Sequence, residues 1–215
     1  AGTTVLPGMR SWRLILDTER GAAENMAIDE AIMLFCADGS APPTLRIYSW
    51  SRPAISLGCL QPILRQAQDA AGPVQYARSG FDLDFCRREG IELVRRITGG
   101  RAVVHGSDVT FSIALREDDL PEGCSSVIKS HQWLMSGIVS GLRRLGIDGE
   151  IGSRGGTASP SSADCFAHVA ECDVRVGAAK AVGSAQVRRS GAILEQGSIP
   201  YSAPGFDTDR VFGAA

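Results

Sequence analysis

Three β-rich runs crowd between residues 91 and 115: IELVRRIT (91–98), RAVVH (101–105) and DVTFSIAL (108–115). Only Gly99–Gly100 and Gly106–Ser107 separate them. Two-residue gaps suit tight turns, so this stretch is committed to sheet, and a plain hairpin with a glycine turn is the simplest reading of 94–106. More runs of the same character lie at 12–17, 44–50 and 54–60, and again as ECDVRV, KAVGSAQVRR and AILEQGSI within 164–199. At least six strands are expected.

Two long segments have helical rather than alternating spacing. Over 21–37 the apolar residues Met26, Ala27, Ile28, Met33 and Leu34 recur at helical intervals, with Gly39 and Pro42–Pro43 beyond. Over 125–145 the stripe is Val127, His131, Leu134, Ile138, Leu142 and Leu145, and Gly146 stops it. A short helix is expected at 82–89 with Asp82 as its cap. Strands mixed with two packed helices predict an α+β fold. Residues 61–80 show no apolar face and are predicted to form a long loop; 152–163, GSRGGTASPSSA, form a second one.

Composition narrows the function classes. With 215 residues, 44% hydrophobic and 21% charged, the chain can bury a core without disulfides or metals. A net charge of −2 argues against a nucleic-acid partner. No apolar run approaches the roughly 18 residues of a membrane span, so no membrane partner is expected. Residues 1–8 do not resemble a secretory signal and are read as an extension ahead of Met9; residues 9–215 are read as one catalytic domain in the cytoplasm. The cysteines at 36, 59, 86, 124, 165 and 172 form no C-x-x-C pair, so no metal site is expected.

Three groups of residues could carry chemistry. In VRRITGGRAVVH the Gly99–Gly100 pair lets backbone approach a ligand, with Arg95, Arg96 and Arg101 around it. The alternative is a hairpin turn with exposed arginines. The second group is Cys165, after the Gly/Ser segment, with Lys180 fifteen residues on and Gly183–Ser184 beyond. A thiolate is a strong nucleophile, and an ammonium can lower a thiol's pKa or polarise a carbonyl. The alternative for Cys165 is a small buried apolar residue. Only two of the 22 basic residues are lysines, Lys129 and Lys180, so a lysine here is less apt to be filler. Third are the histidines. His105 sits beside the glycine turn, and His131 falls on an apolar stripe, where a satisfied core histidine is the plain reading. His168 is a base candidate for Cys165, although an odd separation in extended chain would put the two on opposite faces.

NMAIDEA (25–31), PTLRIYSW (43–50), AISLGCLQ (54–61), VRRITGGRAVVH (94–105), DVTFSIA (108–114) and AAKAVGSAQVRRSGAILEQGSI (178–199) resemble the lipoate–protein ligase and octanoyltransferase superfamily. The resemblance implies a mixed central sheet with helices on one side and a smaller sheet beside it. SSADCF (161–166) is similar to the segment holding the nucleophile in cysteine-type octanoyltransferases, as are the Cys165–Lys180 interval and Arg101 after the glycine pair. By resemblance, Cys165 takes octanoate from octanoyl–acyl carrier protein as a thioester, Lys180 stabilises the oxyanion, and the acyl group passes to a lysine of a lipoyl carrier domain such as glycine-cleavage H protein or an E2 subunit. Arg95, Thr98, Gly99, Gly100, Arg101 and His105 would bind substrate, as would Gly183 and Ser184, while Asp173 would orient Lys180. No cofactor is then needed. Two alternatives remain: an ATP- and Mg-dependent lipoate–protein ligase, and a non-catalytic acyl- or carrier-binding module. Gly106 and Gln196 stand where the family carries an acid and a histidine, which weakens a general-base role at those positions. The absence of an accessory region after 215 is expected to favour the transferase.

Overall fold

A computed structural model describes residues 11–61, 81–152 and 173–212. The elements run β1 (Arg13–Arg20), α1 (Ala22–Ala37), β2 (Thr44–Trp50), β3 (Ala54–Leu57), α2 (Leu83–Arg88), β4 (Glu92–Arg95), β5 (Val103–His105) and β6 (Asp108–Arg116). Then come α3 (Val127–Arg144), β7 (Gly149–Ile151), β8 (Val174–Val176), β9 (Ala179–Arg189), β10 (Ala192–Pro200) and α4 (Thr208–Val211). The fold is α+β. A seven-stranded mixed sheet has the order β1-β2-β6-β10-β9-β8-β7, with β1 and β2 parallel and the other neighbours antiparallel. A three-stranded sheet has the order β4-β3-β5.

The small sheet corrects the hairpin reading of 94–106. β4 and β5 do not pair with each other; β3 lies between them, parallel to β4 and antiparallel to β5. The glycine segment therefore spans β3 instead of turning tightly, and β4 ends at Arg95, earlier than the 91–98 run predicts. Ile55 and Leu57 of β3 pack with Phe85, Cys86, Ile91 and Ala102. Ser56, one step out of phase, points to the other face.

The same alternation divides the core of the large sheet. Phe111, Ile113 and Leu115 of β6 pack with Leu134, Met135, Val139 and Leu142 of α3. Ala114, facing the other way, packs with Ile32, Met33 and Cys36 of α1. The two long helices thus cover opposite faces, which corrects the expectation of helices on one side. A sheet buried on both faces needs a cover on each, and successive residues of β6 supply both apolar sets.

The helix boundaries are close to expectation but their faces are not. On α3, Val127 and Leu145 are exposed, and the buried row is Ser130, His131, Leu134, Met135, Val139 and Leu142. On α1, Leu34 and Phe35 are exposed, whereas Asn25 and Asp29 are fully buried. The cause lies on β2, whose buried positions are Thr44, Arg46, Tyr48 and Trp50. A buried guanidinium requires carboxylate and carbonyl partners, and α1 turns its polar residues toward it. Among the described residues no helix is long and apolar enough to cross a membrane.

Candidate functional site

A pocket of about 400 Å³ opens between the α1-side face of the large sheet and the inner face of the small one. Its floor crosses four strands. Gly183 of β9, Ser198 of β10, Thr110 of β6 and Tyr48 of β2 stand directly opposite one another in successive registers, and all four line it. Three inter-strand steps make a floor roughly 14 Å long. Met26 of α1, Trp50, Val103 and His105 complete the walls.

The glycine segment is held by one buried side chain. Arg96 donates to the carbonyls of Ser56 at 2.7 Å, Gly99 at 2.6 Å and Arg101 at 2.7 Å, and to Thr98 Oγ1 at 3.1 Å. Thr98 in turn donates to Gln196 on β10 at 2.8 Å, which docks the segment on the large sheet. Two glycines allow the approach. Gly100 has φ +86°, and a Cβ on Gly58 would stand 2.0 Å from the Gly100 carbonyl oxygen. Arg96 is thus a staple for backbone.

His105 is fixed on every side. Its ring stacks on Trp50 with centroids 4.0 Å apart; Nδ1 is 2.8 Å from Asp108 and Nε2 is 2.8 Å from Ser56 Oγ. Asp108 also accepts from Ser198, Thr110 and the Gly106 amide. Burial pushes the Asp108 carboxyl up, but the hydrogen bond and charge of His105 and the two hydroxyls outweigh it and hold it below the usual carboxylate range. Gln196, in the position where a histidine was expected, donates to Asp29 at 2.7 Å. The pocket's polar side chains therefore spend their hydrogen bonds largely on one another and present rings, stems and backbone to its interior.

At the β9 end, Lys180 Nζ lies 2.9 Å from Asp173 Oδ2, with both side chains at most 5% exposed. Gly183 and Ser184 follow on the same strand and line the pocket.

The family model of the lipoyl protein ligase A/B catalytic domain matches residues 21–212. The chain belongs to that family. It is similar to octanoyltransferase LipM of Moorella thermoacetica, at 39% identity over 199 residues covering 92% of this chain and 67% of the relative. Octanoyltransferase LipM of Kyrpidia tusciae is 40% identical, with 89% and 66% covered. The chain thus spans about two thirds of the length of these curated relatives. Among solved structures, lipoate-protein ligase A bound with ATP superposes with TM-score 0.64 at 27% identity, over 93% of this chain and 69% of that one.

Within this ligase-family domain the structure gathers His105, Gly100, Gly183 and Ser184 around the pocket and pairs Lys180 with Asp173. Thr98 and Gly99 act one step back, through Gln196 and Arg96. Arg95 departs from the expected slot position: its guanidinium clamps the carbonyls of Gly58 and Gln61, each at 2.7 Å. It projects from the opposite side of β4 to its neighbour, and Arg96 takes the inward place. Arg101 contributes its carbonyl to the Arg96 cluster. Lys129 is exposed near the start of α3. Cys165, His168 and Cys172 lie outside the described residues. Of the described thiols, burial raises Cys36 and Cys86, which makes them poor nucleophiles.

Asp108, Asp29, Trp50 and Met26 were not singled out from sequence. An acid three residues after His105 was the available signal for Asp108. Met26 was read only as an apolar helix position and Asp29 only as part of NMAIDEA, because the partners that give them a place at the site come from β2 and β10.

Proposed function

We propose that this chain transfers an octanoyl group from acyl carrier protein to a lysine of a lipoyl carrier domain, by way of a thioester on Cys165. The observation that carries the reading is a long apolar-surfaced pocket crossing four strands, with the buried Lys180–Asp173 pair on the strand at one end. Similarity to the LipM octanoyltransferases supports the same chemistry. Burying eight carbons at about 0.8 kcal/mol per CH₂ supplies roughly 6 kcal/mol of gross binding, enough to select for chain length.

The reaction has two halves. The Cys165 thiolate attacks the donor thioester carbonyl, and the carrier's thiol leaves. Lys180, positioned by its ion pair with Asp173, donates to the oxyanion. The amine of the acceptor lysine then attacks the acyl-cysteine, and the amide forms as the thiol is released. A thioester-to-amide exchange is downhill, so neither ATP nor a metal is required. The reading places the enzyme in the cytoplasm beside its two carriers, with glycine-cleavage H protein or an E2 lipoyl domain as acceptor.

Similarity to a ligase solved with ATP favours one competing reading, acyl-adenylate formation with Mg. Intact-mass spectrometry after incubation with octanoyl–acyl carrier protein and no ATP separates the two. One hydroxylamine-labile octanoyl group on the wild type, absent in Cys165→Ala, is expected. Acceptor modification that needs ATP and survives Cys165→Ala would establish the ligase. No acylation of either protein under any condition would leave a binding module.

A further inference from the structure

The pocket lies to one side of Lys180. Its floor runs from β9 across β10 and β6 to β2, whereas β8 and β7 adjoin β9 on the other side. Val174 of β8 stands opposite Val182 of β9, and both pack in the α3-side core. Arg175 follows Val174 in the strand and so leaves it on the opposite face, the one that carries the pocket. The register then shifts by one extra residue of β9, which sets Arg175 directly opposite Lys180. Cross-strand partners share a face, so the two side chains stand next to each other at the β9 end of the pocket.

Arg175 is tied at one point. Its Nη2 lies 3.1 Å from Oε1 of Glu150, the residue opposite it on β7, and Glu150 is the guanidinium's one partner among the described residues. Nε is buried and has no hydrogen-bond partner. A guanidinium carries five N–H donors, and a donor kept from water without an acceptor costs free energy. Gly152 leaves the room for this arrangement: a Cβ there would stand 3.1 Å from Arg175 Nε. The Arg175 side chain is 26% exposed and that of Glu150 61%, so the outer end of the pair is within reach of a ligand.

We infer that Arg175 binds the thiol arm of the acyl donor by hydrogen-bonding the amide carbonyl nearest its sulfur. The inference rests on the acyl-transfer reading above. With the reacting carbonyl at Lys180 and the acyl tail running toward β2, the sulfur side of the thioester faces β8 and β7. A carrier-borne acyl group hangs on a pantetheine arm, whose first amide lies two methylenes from the sulfur. One inter-strand step of about 5 Å separates Lys180 from Arg175, a span that two methylenes and an amide nitrogen cover. The carbonyl oxygen supplies the acceptor that the guanidinium lacks. The acceptor lysine brings only methylenes and an amine to the same place, so Arg175 serves the loading half-reaction.

Two small donors isolate the contact: S-octanoyl-N-acetylcysteamine, which carries that amide, and S-octanoyl ethanethiol, which does not. Loading of the full chain is followed by intact mass, and transfer from preloaded enzyme is followed with apo glycine-cleavage H protein. The wild-type advantage of the amide donor over the ethyl thioester should shrink about tenfold in Arg175→Met, the ordinary worth of a hydrogen bond from a charged donor. Loading from octanoyl–acyl carrier protein should slow at least as much. An unchanged ratio of the two donors overturns the inference, and so does an equal slowing of loading and transfer, which marks a structural role. If Arg175→Met does not fold, Arg175→Lys decides by the same ratio, since it keeps the charge and loses the planar fork. A wild type that gains no hydroxylamine-labile octanoyl group from any donor overturns the acyl-cysteine reading itself, before any variant is compared.

Discussion

Lys180 and Asp173 form an ion pair at 2.9 Å in which neither side chain is more than 5% exposed. Removing one member of such a pair leaves a desolvated charge, which typically costs about 3–5 kcal/mol. Asp173→Ala is therefore expected to lower the unfolding free energy by that order and to slow acyl loading. Urea unfolding and a loading assay on the same preparation check both. Full stability with normal loading would remove Asp173 from the site.

Gly58→Ala probes the docking of the glycine segment. The new methyl would stand 2.0 Å from the Gly100 carbonyl oxygen, which is backbone held in place by the Arg96 cluster. The segment must shift, at a cost of about 1–3 kcal/mol or more. Weaker binding of an octanoyl ligand is expected by calorimetry.

Gly197→Ala tests the core beneath the pocket floor. An added Cβ would lie 2.1 Å from the Phe111 ring, which is itself 2% exposed and cannot swing away. Destabilisation is expected, and Phe111→Leu in the same chain should relieve part of it. A double-mutant cycle checks this: coupling of about 1 kcal/mol or more marks the contact, and simple additivity would deny it.

Acid stability should depend on Asp17. Hydrogen bonds from Arg20 chiefly, and from Arg46 against an opposing push from burial, lower its carboxyl from 3.8 to about 2. A carboxyl depressed by folding contributes stability above its unfolded value and loses it as pH falls through the folded one. That contribution should be complete above about pH 4 and vanish toward pH 2. The lowered carboxyl of Asp108 acts in the same direction. Asp17→Asn should flatten this limb in thermal melts taken from pH 5 to pH 2.

Element types were readable from local pattern because period and punctuation are local properties. The helix at 82–89, capped by Asp82, forms as Leu83–Arg88 with the Asp82 carboxylate accepting from the Phe85 amide. What failed was the choice of face. Leu34 looked like core on α1, and Asp29 did not. The placement of Arg46 on the adjoining strand reversed the two, since Asp29 gives one carboxylate oxygen to Arg46 at 2.8 Å and the other to Tyr48 at 2.8 Å.

The amino-acid sequence by itself determined the α+β class, the positions of most elements, and family membership through the glycine segment at 94–105 and the K-x-x-G-S-A segment. These rest on residues close together in the chain. Only the tertiary structure decided that β3 separates β4 from β5, that α1 and α3 cover opposite faces, and that Arg96 rather than Arg95 turns inward. The same is true of the ion pair between His131 of α3 and Glu195 of β10, whose members are far apart in sequence. Such groupings depend on strand order and on which way each side chain leaves its strand. A buried charge must find its partner wherever the fold brings one, and no local pattern records that place.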